Sequence, residues 1–342
     1  MKKLLLSMAV ASAAFSAPTL ATTNAAFAAC GSVSLAEFNW ASGELMANVD
    51  KFILENGYDC DVELIQGGTT QIFASMNEKG RPEIAPELWV NAVRDPLGKA
   101  IEEGRMKVLV EGPITDLGEG WWVTPAFAKK HPELDSVEKI LERPDLFPDD
   151  EDPSKGAFIG CPAGWGCQLS NANLFRAFDM EEKGWKLVDP GSAAGLDGSI
   201  AKAAERDEPW FGYYWAPTAI IGKYNLQLLK WETEWAGSEN WDGCIVKPEQ
   251  DCADPKATSY TESEVSTVVT ESFMNKDSEA KEYLSKRVFP GKVMNEMLVY
   301  MGEEQASGAD ATIEFLKQHE SVWTEWVSPD VAEKVKAALK SA

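Results

Sequence analysis

The chain reads as an α/β protein of two lobes that close on each other as a clamshell, joined by hinge crossovers. Three observations predict this. Strand-like and helix-like runs alternate in two separate stretches. Glycine and proline punctuate the passage between them, at Gly112-Pro113 and Gly118-Glu119-Gly120. A late β-branched run, Thr267-Val268-Val269, then returns the chain to the first lobe. The expected division is residues 29–117 plus 268–342 for lobe I and residues 118–267 for lobe II.

The elements follow in order. Lys2 and Lys3 precede an apolar run from Leu4 to Phe15, and Ala26-Phe27-Ala28 offers an A-x-A cleavage site before Ala29. That order predicts a secretory signal peptide over residues 1–28 and export to the periplasm. The apolar run is shorter than the roughly 20 residues that span a bilayer. An uncleaved anchor fits less well, as does a lipoprotein at Cys30, because Phe27 stands where a branched aliphatic residue is usual. Beyond it come an extended run over Ser32–Phe38, a helix opened by Ser42-Gly43-Glu44, and the strand Val62–Ile65, which together form a βαβ unit. A helix over Thr70–Lys79 leads to a third strand, Glu83–Trp89, and Met106–Glu111 is a strand that leaves the lobe. The second set comprises helix Val137–Leu141, a Pro- and Asp-rich loop over Arg143–Lys155, strand Phe158-Ile159-Gly160 and helix Ala172–Phe178. Helix Ser199–Glu205 and strand Trp210–Trp215 complete it. Helices run to the end, including Ala311–His319 and Val331–Leu339.

Composition narrows the function. With 55 acidic against 32 basic residues the net charge is −23, so nucleic acid and anionic membranes are poor partners and a cation would find the field helpful. The same balance also describes any acidic, soluble exported protein. Six cysteines in an exported chain favour disulfides. Spacing suggests Cys161–Cys167 and Cys244–Cys252 as local loops. Cys30 and Cys60 each open a strand-like segment, and two neighbouring parallel strands would set them side by side. Metal binding is the competing reading, with only His131 and His319 to help and no CxxC. Asp149-Asp150-Glu151-Asp152 offers hard oxygen ligands but lacks EF-hand spacing, and a solvated acidic loop accounts for it better. No G-x-S-x-G, HExxH or glycine-rich phosphate loop is present. A hydrolase is thereby disfavoured, and no cofactor is called for.

Thirteen tryptophans carry the strongest signal. Most tryptophans pack cores, but several here fall at predicted strand ends, where open α/β sheets bind ligands. Trp40 lies between the first strand and its helix, Trp89 ends a strand, and Trp121-Trp122 follow the crossover. Trp165 sits in the Cys161–Cys167 loop, and Trp215 ends a strand before Pro217. A box of indoles suits a quaternary ammonium, which donates no hydrogen bond and is held by ring faces worth about 0.5–2 kcal/mol each. Micromolar affinity needs roughly 8 kcal/mol, so a polar anchor must add to the rings. Backbone N–H groups around Gly164 and Gly166 would favour an anionic oxygen. Sugars also stack on indoles, which keeps a carbohydrate-binding protein as the rival class.

The run Gly160-Cys161-Pro162-Ala163-Gly164-Trp165-Gly166-Cys167 resembles the disulfide loop of glycine-betaine-binding proteins from ABC importers. Tyr213-Tyr214-Trp215-Ala216-Pro217 is similar to that family's aromatic strand. Glu87-Leu88-Trp89 stands where its first box tryptophan is expected, and Val322–Val327 is similar in character. The resemblance implies a type II-like periplasmic binding-protein clamshell and no enzymatic step. It also implies a cage of Trp89, Trp165 and Trp215 around a methylated cation, with the N–H groups of Gly166 and Cys167 meeting the ligand's negative end. The implied partner is an ABC importer permease in the inner membrane. One position departs from the family: a histidine that holds the betaine carboxylate four residues after the first box tryptophan is Val93 here. That leaves room for a smaller anionic end, as in trimethylamine N-oxide, or for dimethylsulfoniopropionate or choline in the same cage. Arg94 or Asn91 is a candidate substitute for the histidine. Glu119, beside Trp121 and Trp122, is a candidate to reach an onium charge, or an N-oxide through water.

Overall fold

The computed structural model describes residues 30–276 and 279–342; the expected signal peptide lies outside them. Two five-stranded sheets organise the chain. The first contains β1 (Gly31–Phe38), β2 (Cys60–Gly67), β3 (Ile84–Trp89), β4 (Met106–Glu111) and β10 (Val265–Thr270), in the order β2-β1-β3-β10-β4. The second contains β5 (Gly118–Val123), β6 (Gly156–Ile159), β7 (Trp185–Val188), β8 (Phe211–Ala216) and β9 (Gln227–Leu228), in the order β7-β6-β8-β5-β9. Helices α1 (Ala41–Tyr58) and α2 (Thr69–Lys79) supply the early crossovers of the first lobe.

The chain's path between lobes explains strand direction. β1 runs parallel to β2 and β3, and β6 runs parallel to β7 and β8. β10 is antiparallel to β3 and β4, and β5 is antiparallel to β8 and β9. β5 and β10 are the strands by which the chain enters one sheet from the other lobe. A strand arriving from the cleft starts where the parallel strands end, so it must run against them. The first residues of β5 and β10 therefore lie at the cleft beside the last residues of β3 and β8.

Several elements differ from their sequence reading. Gly118-Glu119-Gly120, read as punctuation, is the start of β5. Gly118, Glu119 and Gly120 pair with Ala216, Trp215 and Tyr214. A Cβ on Gly120 would lie 2.8 Å from Leu228 Cδ1, so glycine here lets β9 approach rather than breaking the strand. The helix expected from Ala172 begins at Gly166, inside the disulfide loop, and spans Gly166–Ala177. β10 enters the first sheet at Val265, before the expected boundary at residue 268. The three disulfides join Cys30 to Cys60, Cys161 to Cys167 and Cys244 to Cys252. The first joins the starts of the parallel pair β1 and β2, where Gly31 is in register with Cys60.

Two apolar clusters hold the molecule together. One lies under α1 and the C-terminal helices and includes Leu45, Val49, Ile53, Phe315, Trp323 and Trp326. The Val322–Val327 segment thus packs into the first lobe's core, with Trp323 donating its N–H to Leu316 O at 2.9 Å. The other runs without a break from Phe38 and Trp40 through Trp165 and Trp215 to Phe158 and Phe211. A core continuous across both lobes means that the cleft is closed.

Candidate functional site

A small cavity lies between the lobes at the ends of the parallel strands. From the first lobe it is lined by Trp40, Thr69, Trp89, Asn91 and Ala92, and from the second by Glu119, Trp165, Gly166, Cys167, Tyr213 and Trp215, among others. Each side chain is there for a local reason. Trp40 is the N-cap of α1, just past the end of β1. Trp89 closes β3 before a single turn of 3-10 helix over Val90–Ala92. Tyr213 and Trp215 are two apart on β8, so both project from one face, with ring centroids 6.5 Å apart. Tyr214 projects from the other face and donates to Asp197 at 2.6 Å.

The indoles form a continuous wall across the seam. Trp40 meets Trp165 edge-on at 5.3 Å, and Trp165 meets Trp215 edge-on at 5.0 Å. Trp89 joins this wall through Glu87, whose Oε1 accepts the N–H groups of both Trp40 (3.0 Å) and Trp89 (3.1 Å). Other bonds fasten the lobes together. Trp165 Nε1 donates to Asn39 Oδ1 at 2.8 Å, Thr70 Oγ1 donates to Gly164 O at 2.9 Å, and Arg94 pairs with Asp242 at 2.8 Å.

A polar pole faces the rings. Trp165 caps the helix Gly166–Ala177 without a side-chain cap hydrogen bond. Gly166 and Cys167, the helix's first two residues, have N–H groups with no intrahelical acceptor, and the helix dipole adds positive potential there. Opposite in sign is Glu119. It accepts from Tyr213 Oη at 2.7 Å and Asn91 Nδ2 at 2.9 Å, yet burial pushes its carboxyl up to about 7. Burial likewise holds Tyr213 and Tyr260 well above the ordinary phenol value, so both stay protonated donors.

The structure brings together Trp40, Trp89, Trp165, Trp215, Glu119, Gly166 and Cys167, and leaves Trp121 and Trp122 out. Trp121 lies deeper along β5, under the helix Gly166–Ala177. Its ring packs against Phe158, Phe211 and Trp231, and its N–H bonds Asn171 at 2.7 Å. Trp122 projects from the opposite face and donates to Tyr214 O at 3.0 Å. The two candidate substitutes for the missing imidazole are occupied. Arg94 is taken by Asp242 and Glu264, and the Asn91 amide donates to Glu119. Val93 is buried beneath the turn and does not line the cavity. The acidic loop is turned toward lysines: Asp149 and Glu151 pair with Lys186, and Asp150 with Lys202. Sequence reasoning missed Tyr213, Trp241 and Tyr260 as lining residues. Tyr213 could have been found from period-2 spacing to Trp215. Tyr260 lies in an irregular segment with no local signal.

Residues 31–318 match the family model described as the substrate-binding domain of ABC-type glycine betaine transport systems. A choline-binding protein of an ABC transporter, solved with choline, superposes with a TM-score of 0.69 at 17% identity, covering 91% of this chain and 98% of that one. The glycine betaine/L-proline-binding protein ProX of Borrelia burgdorferi gives 0.68 at 16% identity, covering 89% and 99%. Lactococcal OpuAC, closed around glycine betaine, gives 0.63 at 18% identity, covering 87% and 100%. These likenesses share the two-lobed fold, and the matching family is one of transport proteins rather than enzymes. The chain belongs to the family of substrate-binding domains of ABC-type glycine betaine transport systems.

Proposed function

We propose that the cleft captures a small methylated onium compound, glycine betaine or trimethylamine N-oxide, in the periplasm and delivers it to an ABC permease in the inner membrane. The observation that carries this is the indole wall built from both lobes: Trp40 and Trp89 from one, Trp165 and Trp215 from the other. A methylated ammonium is held by ring faces at about 0.5–2 kcal/mol each, and this wall is complete only when the lobes are closed. Ligand therefore favours the closed form through contacts that the open form lacks. The N–H groups of Gly166 and Cys167 meet the ligand's oxygen end, and Glu119 faces its cationic end. Solved structures of similar fold carry choline and glycine betaine, which supports the onium class.

Two features favour the smaller oxygen end of an N-oxide over a carboxylate. The position of the carboxylate-holding histidine is Val93, and a buried acid, Glu119, already lines the cavity. Choline and dimethylsulfoniopropionate fit the same cage chemistry. Isothermal titration of betaine, trimethylamine N-oxide, choline, dimethylsulfoniopropionate and simple sugars tests the reading. Binding of sugars alone overturns the onium assignment. A betaine affinity more than about tenfold above that of the N-oxide, about 1.4 kcal/mol, overturns the argument from Val93.

A further inference from the structure

We infer that Glu87 is a positioning and specificity residue of the cage: one buried carboxylate oxygen fixes the two first-lobe indoles and places a negative charge behind them. This rests on the reading of the cleft as an onium site. Glu87 is fully buried on β3, two residues before Trp89. Its Oε1 accepts from Trp40 Nε1, Trp89 Nε1 and Ser42 Oγ, the last at 2.9 Å. Trp40 and Trp89 come from different crossovers, and this shared oxygen ties their orientations together.

Other buried indoles satisfy their N–H groups more cheaply. Trp122, Trp185, Trp241 and Trp323 donate to backbone carbonyls, and Trp165, Trp121 and Trp210 donate to neutral side chains. A carboxylate receives the N–H at Trp40 and Trp89, both of which line the cavity. Burying a carboxylate is costly, and here burial raises Glu87 to about 7. A purely structural tie would not require that charge. The nearby cation offsets it only in part. Arg287, also fully buried, is paired with Asp50 at 2.9 Å and holds Thr267 Oγ1 at 2.8 Å. Arg287 acts on Glu87 as the smallest of the groups that favour its ionised form, and Glu87 Oε2 has no hydrogen-bond partner. When ionised, Glu87 therefore leaves a negative charge, only partly offset, behind two ring faces. An anionic acceptor at an indole N–H enriches the ring's π-face, and both effects favour a cation over a neutral isostere of the same shape.

The probe is tetramethylammonium, which has no oxygen end and so reads cation recognition alone, with neutral tert-butanol as a reference for shape. Glu87→Gln is expected to weaken tetramethylammonium about tenfold or more, the scale of one charge-assisted interaction, and to leave tert-butanol nearly unchanged. In a double-mutant cycle the loss should be subadditive with Trp40→Phe, which removes one donor to Glu87. It should be more nearly additive with Trp165→Phe, whose N–H goes to Asn39 and which reaches Glu87 only through Trp40. The indole N–H resonances of Trp40 and Trp89 should also titrate together with pH in the wild-type protein, a measurement that needs no stable Gln variant. Independent titration of those resonances, or tetramethylammonium affinity within twofold of wild type in Glu87→Gln, overturns the inference. Failure of the wild-type protein to bind any onium compound overturns the cage reading itself, and this inference with it.

Discussion

Gly166→Ala isolates lobe closure from every other property of the site. Gly166 is the first residue of its helix and lies directly against the opposite lobe: a Cβ added there would overlap the Ala92 Cβ. Ala92 belongs to a tight 3-10 turn and its Cβ has no rotamer by which to retreat. Restoring ordinary carbon–carbon contact near 3.5–4.0 Å requires the seam to open by about 1.5 Å. The substitution keeps the backbone N–H that faces the oxygen end of the ligand. It does not weaken the second lobe, because alanine is a better helix former than glycine by up to about 1 kcal/mol. The cost should fall on the closed state, at about 1–3 kcal/mol for an overpacked contact, which is roughly five- to 150-fold in affinity. Isothermal titration with whichever onium compound binds the wild type tightest measures this, alongside a melting scan without ligand. Affinity within threefold of wild type would refute the claim that closure at this seam is required for binding. A large drop in the unliganded melting temperature would place the effect on folding instead.

Other expectations follow from the same geometry. Trp165→Ala removes a ring that bridges Trp40 and Trp215 and should weaken onium binding severalfold or more, by at least one face of about 0.5–2 kcal/mol. Trp121→Phe should lower thermal stability while leaving affinity within twofold; equal loss of affinity in both variants would contradict the division between cage and core drawn here. Glu87 and Glu119 are both raised from 4.5 to about 7. The folded state therefore holds protons that the unfolded state has released, and stability without ligand should fall as pH rises from about 4.5 to about 7. Urea titrations across that range should show the fall, with a flatter profile in Glu119→Gln. An identical profile in that variant removes Glu119 as a contributor. Selective loss of the Cys30–Cys60 bond, which closes a loop of separation 30, should cost stability of about 3–4 kcal/mol by chain entropy. Ligand affinity should be unaffected, because that bond lies at the starts of β1 and β2, remote from the cleft ends of the strands.

Much of this molecule could be read from its residues alone. The alternation of strand-like and helix-like runs identified two α/β lobes, because period-2 and helical patterns are local properties of the chain. The cysteine pairings were legible for the same reason: two close tight loops, and the third joins the starts of adjacent parallel strands. Trp40, Trp89, Trp165 and Trp215 were recognisable because each falls at the end of a strand or in a glycine-punctuated loop. What the sequence could not reveal depends on depth and direction. Trp121 and Trp122 look as eligible as Trp215, yet the helix over β5 covers one of them and the strand's pleat turns the other away. Gly118-Glu119-Gly120 has the composition of a turn, and only pairing with β8 makes it a strand and brings Glu119 to the cleft. The role of Glu87 was hidden for a similar reason. A carboxylate in a strand of apolar neighbours carries no local mark of its partners, which arrive from α1 and from its own strand only when the chain is folded.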